Sequence, residues 1–523
     1  MSKKILIPLL FCLPMLSCRK MEPSWEVDVN APLLKSSLGI NNILPDSMIG
    51  INNDNSLSLV YKYSFYDFSF DSLVDFPDTI SQKDFPLPGG FPVNPGQTFF
   101  NFSENSHLSI SGAQVTKVDF HSGFLALEVF SSIPEPVIVT YTIPNATNLG
   151  LPLQITETVP AAPPGTTASF VKLFDISGYS MDMSGPAGIS ANIITSNIKA
   201  MMHPSAHTYY LDSLDKFAFN VRFKDISIQY AKGYFGSHDF AFGPDTTGLN
   251  IFDKISSGTF DFENIKLHLN VENGFGADLQ VAFDDITAIN SKTSHAVSLN
   301  AGIIGQSINI SRAVETGNPE HPVNPSVYSY NLDNSNILDL IENIPDMISY
   351  RIKVATNPMG NISSGNDFVY YNNPLKAILD MEIPLSLIAS NLTLTDTVDF
   401  DLGENMGTIK SATLSLYADN GFPFSAQVQL FLLNENMQVT DSLLFPDMIA
   451  APPLNSNYMV IHPVRSVIQI PLPGEKISRL YQTKKMRVVA RFNTNGASHH
   501  VKIYDQYRLD LKLTGDFSYQ IQL

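Results

Sequence analysis

Two cysteines, Cys12 and Cys18, are the only thiols in 523 residues, and both stand at the start of the chain. A thiol can act as nucleophile, metal ligand, disulfide partner or acyl acceptor. With no cysteine after Cys18, zinc ribbons, cysteine nucleophiles and a disulfide framework are ruled out for the rest of the chain. The other candidates fail on spacing. His203 and His207 stand four apart, a metal-binding distance on a helix, but Pro204-Ser205-Ala206 between them reads as loop. His499 and His500 are adjacent and would point to opposite faces of a strand. Asp399, Asp401 and Glu404 loosely resemble a calcium loop without its oxygen spacing or central glycine. Asp284 and Asp285 are neighbouring carboxylates that strand alternation splays apart, whereas a glycosidase needs two facing across a cleft. There is no Gly-x-Ser-x-Gly, no His-Glu-x-x-His and no glycine-rich phosphate loop. The expectation is a chain with no catalytic, metal or cofactor-binding residue, no cofactor and no enzymatic activity.

The chemistry that remains is acylation of Cys18. Lys3 and Lys4 precede an apolar run from Ile5 to Leu16, interrupted by Pro14 and too short to span a bilayer. Leu16-Ser17-Cys18 resembles a bacterial lipobox. The resemblance implies cleavage before Cys18, lipid such as palmitate on the new N-terminus, and a mature chain tethered to a membrane. Arg19 stands where inner-membrane lipoproteins carry an Asp retention signal, which by the same resemblance favours the outer membrane. Residues 19–22 carry no acidic run, which favours the periplasmic face over the cell surface. Triplets such as Asp212-Ser213-Leu214, Asp396-Thr397-Val398 and Asp441-Ser442-Leu443 resemble the O-glycosylation sites of exported Bacteroidota proteins. They equally suit a turn leading into a strand.

The elements that would carry these residues are mostly strands. Hydrophobic content of 44% with 16% charged residues is globular, and 34 Phe, 20 Tyr and 34 Pro make a β composition punctuated by turns. The net charge of −18 excludes a nucleic-acid partner, which requires basic surface to displace counterions. The fold class expected is mainly β: tandem antiparallel β-sandwich or roll domains with a few short helices. An internal repeat supports this. Leu125-Val129, Leu267-Val271 and Leu414-Ala418 are alternating strands; each leads through a turn into a second one, at Val137-Tyr141, Leu279-Phe283 and Ala426-Leu430. The turns begin Ser131-Ser132, Asn273-Gly274 and Asn420-Gly421, so each pair reads as a hairpin whose Asn-Gly would supply positive φ. Short helical segments at Ile337-Ile341 and Ile477-Tyr481 lead into long strands. The division expected is a signal peptide over 1–17, an N-terminal β segment over 18–110, and β units over 111–253, 254–400 and 401–523. Within the N-terminal segment, Leu33 to Leu44 reads as a short helix, Leu57 to Phe70 as a long alternating strand or a pair of strands, and Trp25, the sole tryptophan, as a core anchor.

The stretch from Ser24 to Leu44 resembles the opening of a family of Bacteroidota outer-membrane lipoproteins with no assigned activity. The Asn420-Gly421-Phe422-Pro423 turn is similar to one in the sandwich of LEA-type desiccation proteins, a likeness of fold only. The function expected is a non-enzymatic envelope lipoprotein, a scaffold or accessory subunit of an outer-membrane assembly. Its partners would be the membrane, through the N-terminal lipid, and other envelope proteins. The alternative is a surface glycan-binding lipoprotein of a polysaccharide-uptake system, with Tyr370-Tyr371 or Tyr209-Tyr210 as the sugar platform. Third comes an envelope hydrolase.

Overall fold

The computed structural model describes residues 24–522 except 43, 70–79, 88, 111, 254, 256, 403–407 and 495–498. The fold is mainly β, with many antiparallel ladders and two short α-helices among the described residues, Ile337–Glu342 and Gly474–Gln482. Each helix leads into a long strand, Met347–Thr356 and Lys485–Thr494, as the sequence pattern indicates.

The described residues form two compact units, one from residues 24–58, 253–263 and 384–522, the other from 59–252 and 264–383. The first holds one eight-stranded sandwich. One sheet runs Ser24–Gly39, Arg508–Gln522, Thr408–Asn420, Val464–Leu472; the other runs Leu392–Asp399, Lys485–Thr494, Phe424–Leu433, Val439–Leu444. Leu414, Leu416 and Ala418 from one sheet, and Ala426, Val428 and Leu430 from the other, are fully buried at every second position. A small sheet of Thr259–Phe262, Ser386–Ser390 and Val501–Lys502 completes this unit.

The second unit holds two sandwiches of the same strand plan. In one, Ile80–Pro86, Lys216–Tyr234, Gln114–Ser131 and Ala168–Asp175 pair in that order as one layer; Thr98–His107, Ile193–Met202, Val137–Asn148 and Leu151–Val159 pair as the other, and Ser180–Asp182 pairs with both Gln114–Ser131 and Val137–Asn148 to join the two into one continuous sheet. In the other, Leu57–Phe68, Leu375–Pro384, Lys266–Asn273 and Ser326–Asn331 form one sheet. Its partner sheet is His238–Gly248, Met347–Thr356 and Leu279–Asn290, edged by His295–Ser298 and Ser307–Ile310. The two sandwiches share a ladder where Tyr230–Gly233 pairs with Asp367–Tyr370.

The sandwiches are nested in the sequence. The one ending at Tyr234 lies between the first and second strands of the one ending at Pro384, which lies between the first and second strands of the one ending at Gln522. The strands of residues 24–107 are accordingly shared out: Ser24–Gly39, Leu57–Phe68 and the two strands Ile80–Pro86 and Thr98–His107 each edge a different sandwich.

Four expectations are corrected. The matched strand pairs are not hairpins. Lys266–Asn273 and Thr408–Asn420 each hand the chain across to the opposite sheet, and Gln114–Ser131 hands it to Val137–Asn148, with which it does not pair directly but is joined through the short strand Ser180–Asp182; each turn is thus an arch between layers. Nor do Gly274 and Gly421 adopt positive φ. Leu33 to Leu44 is not helical: the strand runs to Gly39 and a 3-10 turn, Ile40–Asn42, follows. Leu34, Ser36 and Leu38 are buried at period two, which commits the segment to a ladder against Arg508–Leu513. Trp25 is not a core anchor. It is 62% exposed, because the strand runs past the end of the sandwich core.

The arches are built alike. Asn273 is fully buried; its Oδ1 accepts from Phe275 N at 2.9 Å, and its Nδ2 donates to Ala277 O at 3.0 Å and Ser311 O at 2.9 Å. Asn420 repeats the scheme with Phe422 N at 3.0 Å, Phe424 O at 2.7 Å and Ala450 O at 2.9 Å. In the remaining arch Ser131 Oγ accepts from Ile133 N at 3.2 Å. The next residue donates its N–H to a neighbouring strand or to the residue just before one: Ser132 to Lys216 O, Gly274 to Pro374 O and Gly421 to Arg508 O. Ile133, Phe275 and Phe422 then plug the core.

Candidate functional site

The histidines and carboxylates singled out by spacing are engaged locally and do not converge. His203 Nδ1 lies 2.7 Å from Ser205 Oγ, and His207 Nδ1 lies 3.2 Å from Glu135 Oε1, in a loop. His500 Nε2 is 2.9 Å from Asp261 Oδ1, while the His499 ring sits 4.9 Å from that of Tyr458. Asp284 pairs with Lys353 at 2.8 Å, and Asp285 accepts from Thr287 Oγ1 at 3.0 Å. Asp399 pairs with Lys485 on the adjacent strand at 2.8 Å. Glu404, like the lipidation candidate Cys18, lies outside the described residues. Among the described residues no group of three His, Cys, Asp or Glu could hold a metal, and no helix is long and apolar enough to cross a membrane.

One place does gather chemically useful groups. Where Tyr230–Gly233 pairs with Asp367–Tyr370, the rings of Tyr230 and Tyr370 meet at 4.7 Å. Lys117 Nζ stands 5.4 Å from the Tyr230 ring centre and 3.4 Å from Asp119 Oδ1. The Tyr370 hydroxyl donates to Glu315 Oε1 at 3.0 Å. Burial, then the Glu315 carboxylate, push the Tyr370 phenol up to about 12. The same two causes, in the same order, raise Tyr230. Tyr371 is 44% exposed and lies flat on His121, rings 5.4 Å apart and 7° from parallel. Beside them opens a groove of about 280 Å³, lined by Gln229, His321, Tyr370, Asn372, Asn373 and the Pro319–Val323 turn. Amides, an imidazole and an aromatic edge of this kind suit a neutral, hydroxyl-bearing ligand.

Of the two tyrosine pairs, Tyr370-Tyr371 borders this groove. Tyr209 is tied to Asp215 Oδ1 at 3.2 Å, and Tyr210, though exposed, donates to Gly90 O at 2.8 Å. Sequence reading missed His121, Glu315 and His321. Each is a single residue with no spacing partner, and the long-range ladder at Tyr230–Gly233 accounts for part of the gathering. Of the Asp-Ser/Thr triplets, which also include Asp46-Ser47-Met48 and Asp245-Thr246-Thr247, Ser47, Ser213, Thr246 and Thr397 are exposed; Ser47 sits in the 3-10 turn Asp46–Met48, Ser213 in a turn, and the other two in strands.

No protein-family model matches the chain, and no curated protein matches it significantly. Among solved structures, one from Parabacteroides distasonis, described as a candidate secreted protein, is similar at 14% identity with a TM-score of 0.27, covering 55% of this chain and 82% of that one.

Proposed function

We propose that this chain is a non-enzymatic, lipid-anchored protein of the bacterial outer membrane, of the Bacteroidota lipoprotein type. It is held at Cys18 on the periplasmic face and works as a scaffold or accessory subunit of an envelope assembly. The observation that carries the reading is the use of the polar groups: the buried Asn273 and Asn420 pin the arches, and the carboxylates and histidines with chemical promise pair locally with strand or loop neighbours. The anchor rests on the lipobox and on Cys18 being the sole cysteine of the mature chain. Crosslinking in intact cells followed by purification from the outer membrane should recover stable envelope partners; a chain recovered alone and monomeric overturns the scaffold role. Cys18→Ala should move the chain from the membrane fraction to the soluble one, and unchanged association overturns the anchor.

A second reading, a surface glycan-binding lipoprotein, is favoured by the Tyr371–His121 stack and the amide-lined groove beside it. Titration with neutral oligosaccharides should then show binding that Tyr371→Ala abolishes. Glu315 and Glu320 beside the groove make acidic glycans the poorer ligands.

A further inference from the structure

The strand Ser24–Gly39 has two halves with one continuous inward face. The register against Arg508–Gln522 pairs Leu34 with Leu513 and Leu38 with Leu509, and an irregularity between Pro32 and Leu34 shifts the alternation by one. The face that buries Leu34, Ser36 and Leu38 therefore continues upward through Val29, Val27 and Trp25, opposite Phe517 and Tyr519. Those three are left in solvent, at 41%, 40% and 62%. The reverse face carries Glu26, Asp28 and Asn30; Glu26 is paired with Lys410 and Asn30 bonds Asp516 across the ladder. This end of the strand is an amphipathic ribbon with a Trp-Val-Val stripe on one side and charge on the other.

We propose that this stripe rests on the lipid headgroups and upper acyl chains of the membrane that holds Cys18; the inference depends on the lipid-anchor reading above. Its ground is reach. The chain from Cys18 to Trp25 spans at most ~25 Å even fully extended, so a lipid on Cys18 keeps Trp25 within that distance of the bilayer. Arg19 and Lys20 lie on the way and suit phosphate headgroups. A tryptophan with flanking valines is the composition that settles at a membrane interface, where the apolar ring is buried and the indole N–H stays wet. The acidic reverse face then points to water. The lipid sets position and the stripe sets orientation: the sandwich at this end lies against the bilayer and does not swing freely on its tether.

The sole tryptophan makes the test direct. The lipidated full chain is reconstituted into phosphatidylcholine vesicles, with and without lipids brominated near the headgroup. The expected result is co-sedimentation with a blue shift of Trp25 emission and strong quenching by bromine. Val27→Asp with Val29→Asp, both at exposed positions, should keep co-sedimentation and lose shift and quenching. Co-sedimentation with water-like, unquenched emission overturns the stripe contact and leaves the anchor standing. Failure to co-sediment, with Cys18 unmodified by mass spectrometry, overturns the anchor and this inference with it. Blue-shifted emission without vesicles, together with a dimeric mass, assigns the stripe to a second copy of the chain and overturns the membrane contact.

Discussion

The arches at 273–275 and 420–422 turn on Asn-Gly-Phe, while the arch at 131–133 turns on Ser-Ser-Ile. The layer crossing is the same, but the nearness of the neighbouring strand differs. A Cβ on Gly274 would stand 2.3 Å from Asn373 O, and one on Gly421 would stand 3.0 Å from Arg508 O. Ser132 occupies the equivalent place with its Cβ and makes the same backbone bond to Lys216. Glycine in two of these turns is therefore a spacing device between layers, and no special φ is involved. The Asn side chain goes with it: it satisfies three backbone groups, two of them buried, where Ser131 satisfies one.

That contrast gives a ranked series, read as the shift in urea or calorimetric unfolding of the sandwich carrying each change. Asn273→Ala and Asn420→Ala should be the most damaging, at ~3 kcal/mol or more, since each strands an N–H and two carbonyls. A loss no larger than that of Ser131→Ala, about 1 kcal/mol, would break the comparison. Gly274→Ala should follow at ~2–3 kcal/mol, because the obstacle is backbone. Gly421→Ala should cost about 1 kcal/mol, as the contact needs a displacement of only tenths of an ångström. Equal effects at 274 and 421 would mean that close approach is not what selects glycine. Ser132→Gly should also cost about 1 kcal/mol, through added chain entropy and the loss of the bond that Ser132 Oγ accepts from Lys216 N at 2.7 Å.

The same arches mark how far the sequence could be read. Period-two alternation located the strands on either side of 131, 273 and 420, and their likeness exposed the repeat. The pairing partners were not legible, since an Asn-Gly between alternating strands looks the same whether the chain turns back within a sheet or crosses to another. Trp25 was misplaced for a related reason: its alternation does match the core face, and only the length of the sandwich leaves it outside. At the groove, Tyr370-Tyr371 stood out as a doublet, whereas His121 and Glu315 reach it through contacts of long sequence separation that no local pattern announces.

Nesting dictates an order of assembly. During synthesis or export, the sandwich ending at Tyr234 is the first to have all its strands available, then the one ending at Pro384. The strand Ser24–Gly39 emerges first yet finds its neighbour, Arg508–Gln522, only when the last residues arrive. Contacts of such separation are slow to form, and an unpaired apolar strand is an invitation to aggregate until they do. The first strand of this fold is thus the last to be paired, and a tether at Cys18 would park that waiting edge beside the membrane and away from other nascent chains.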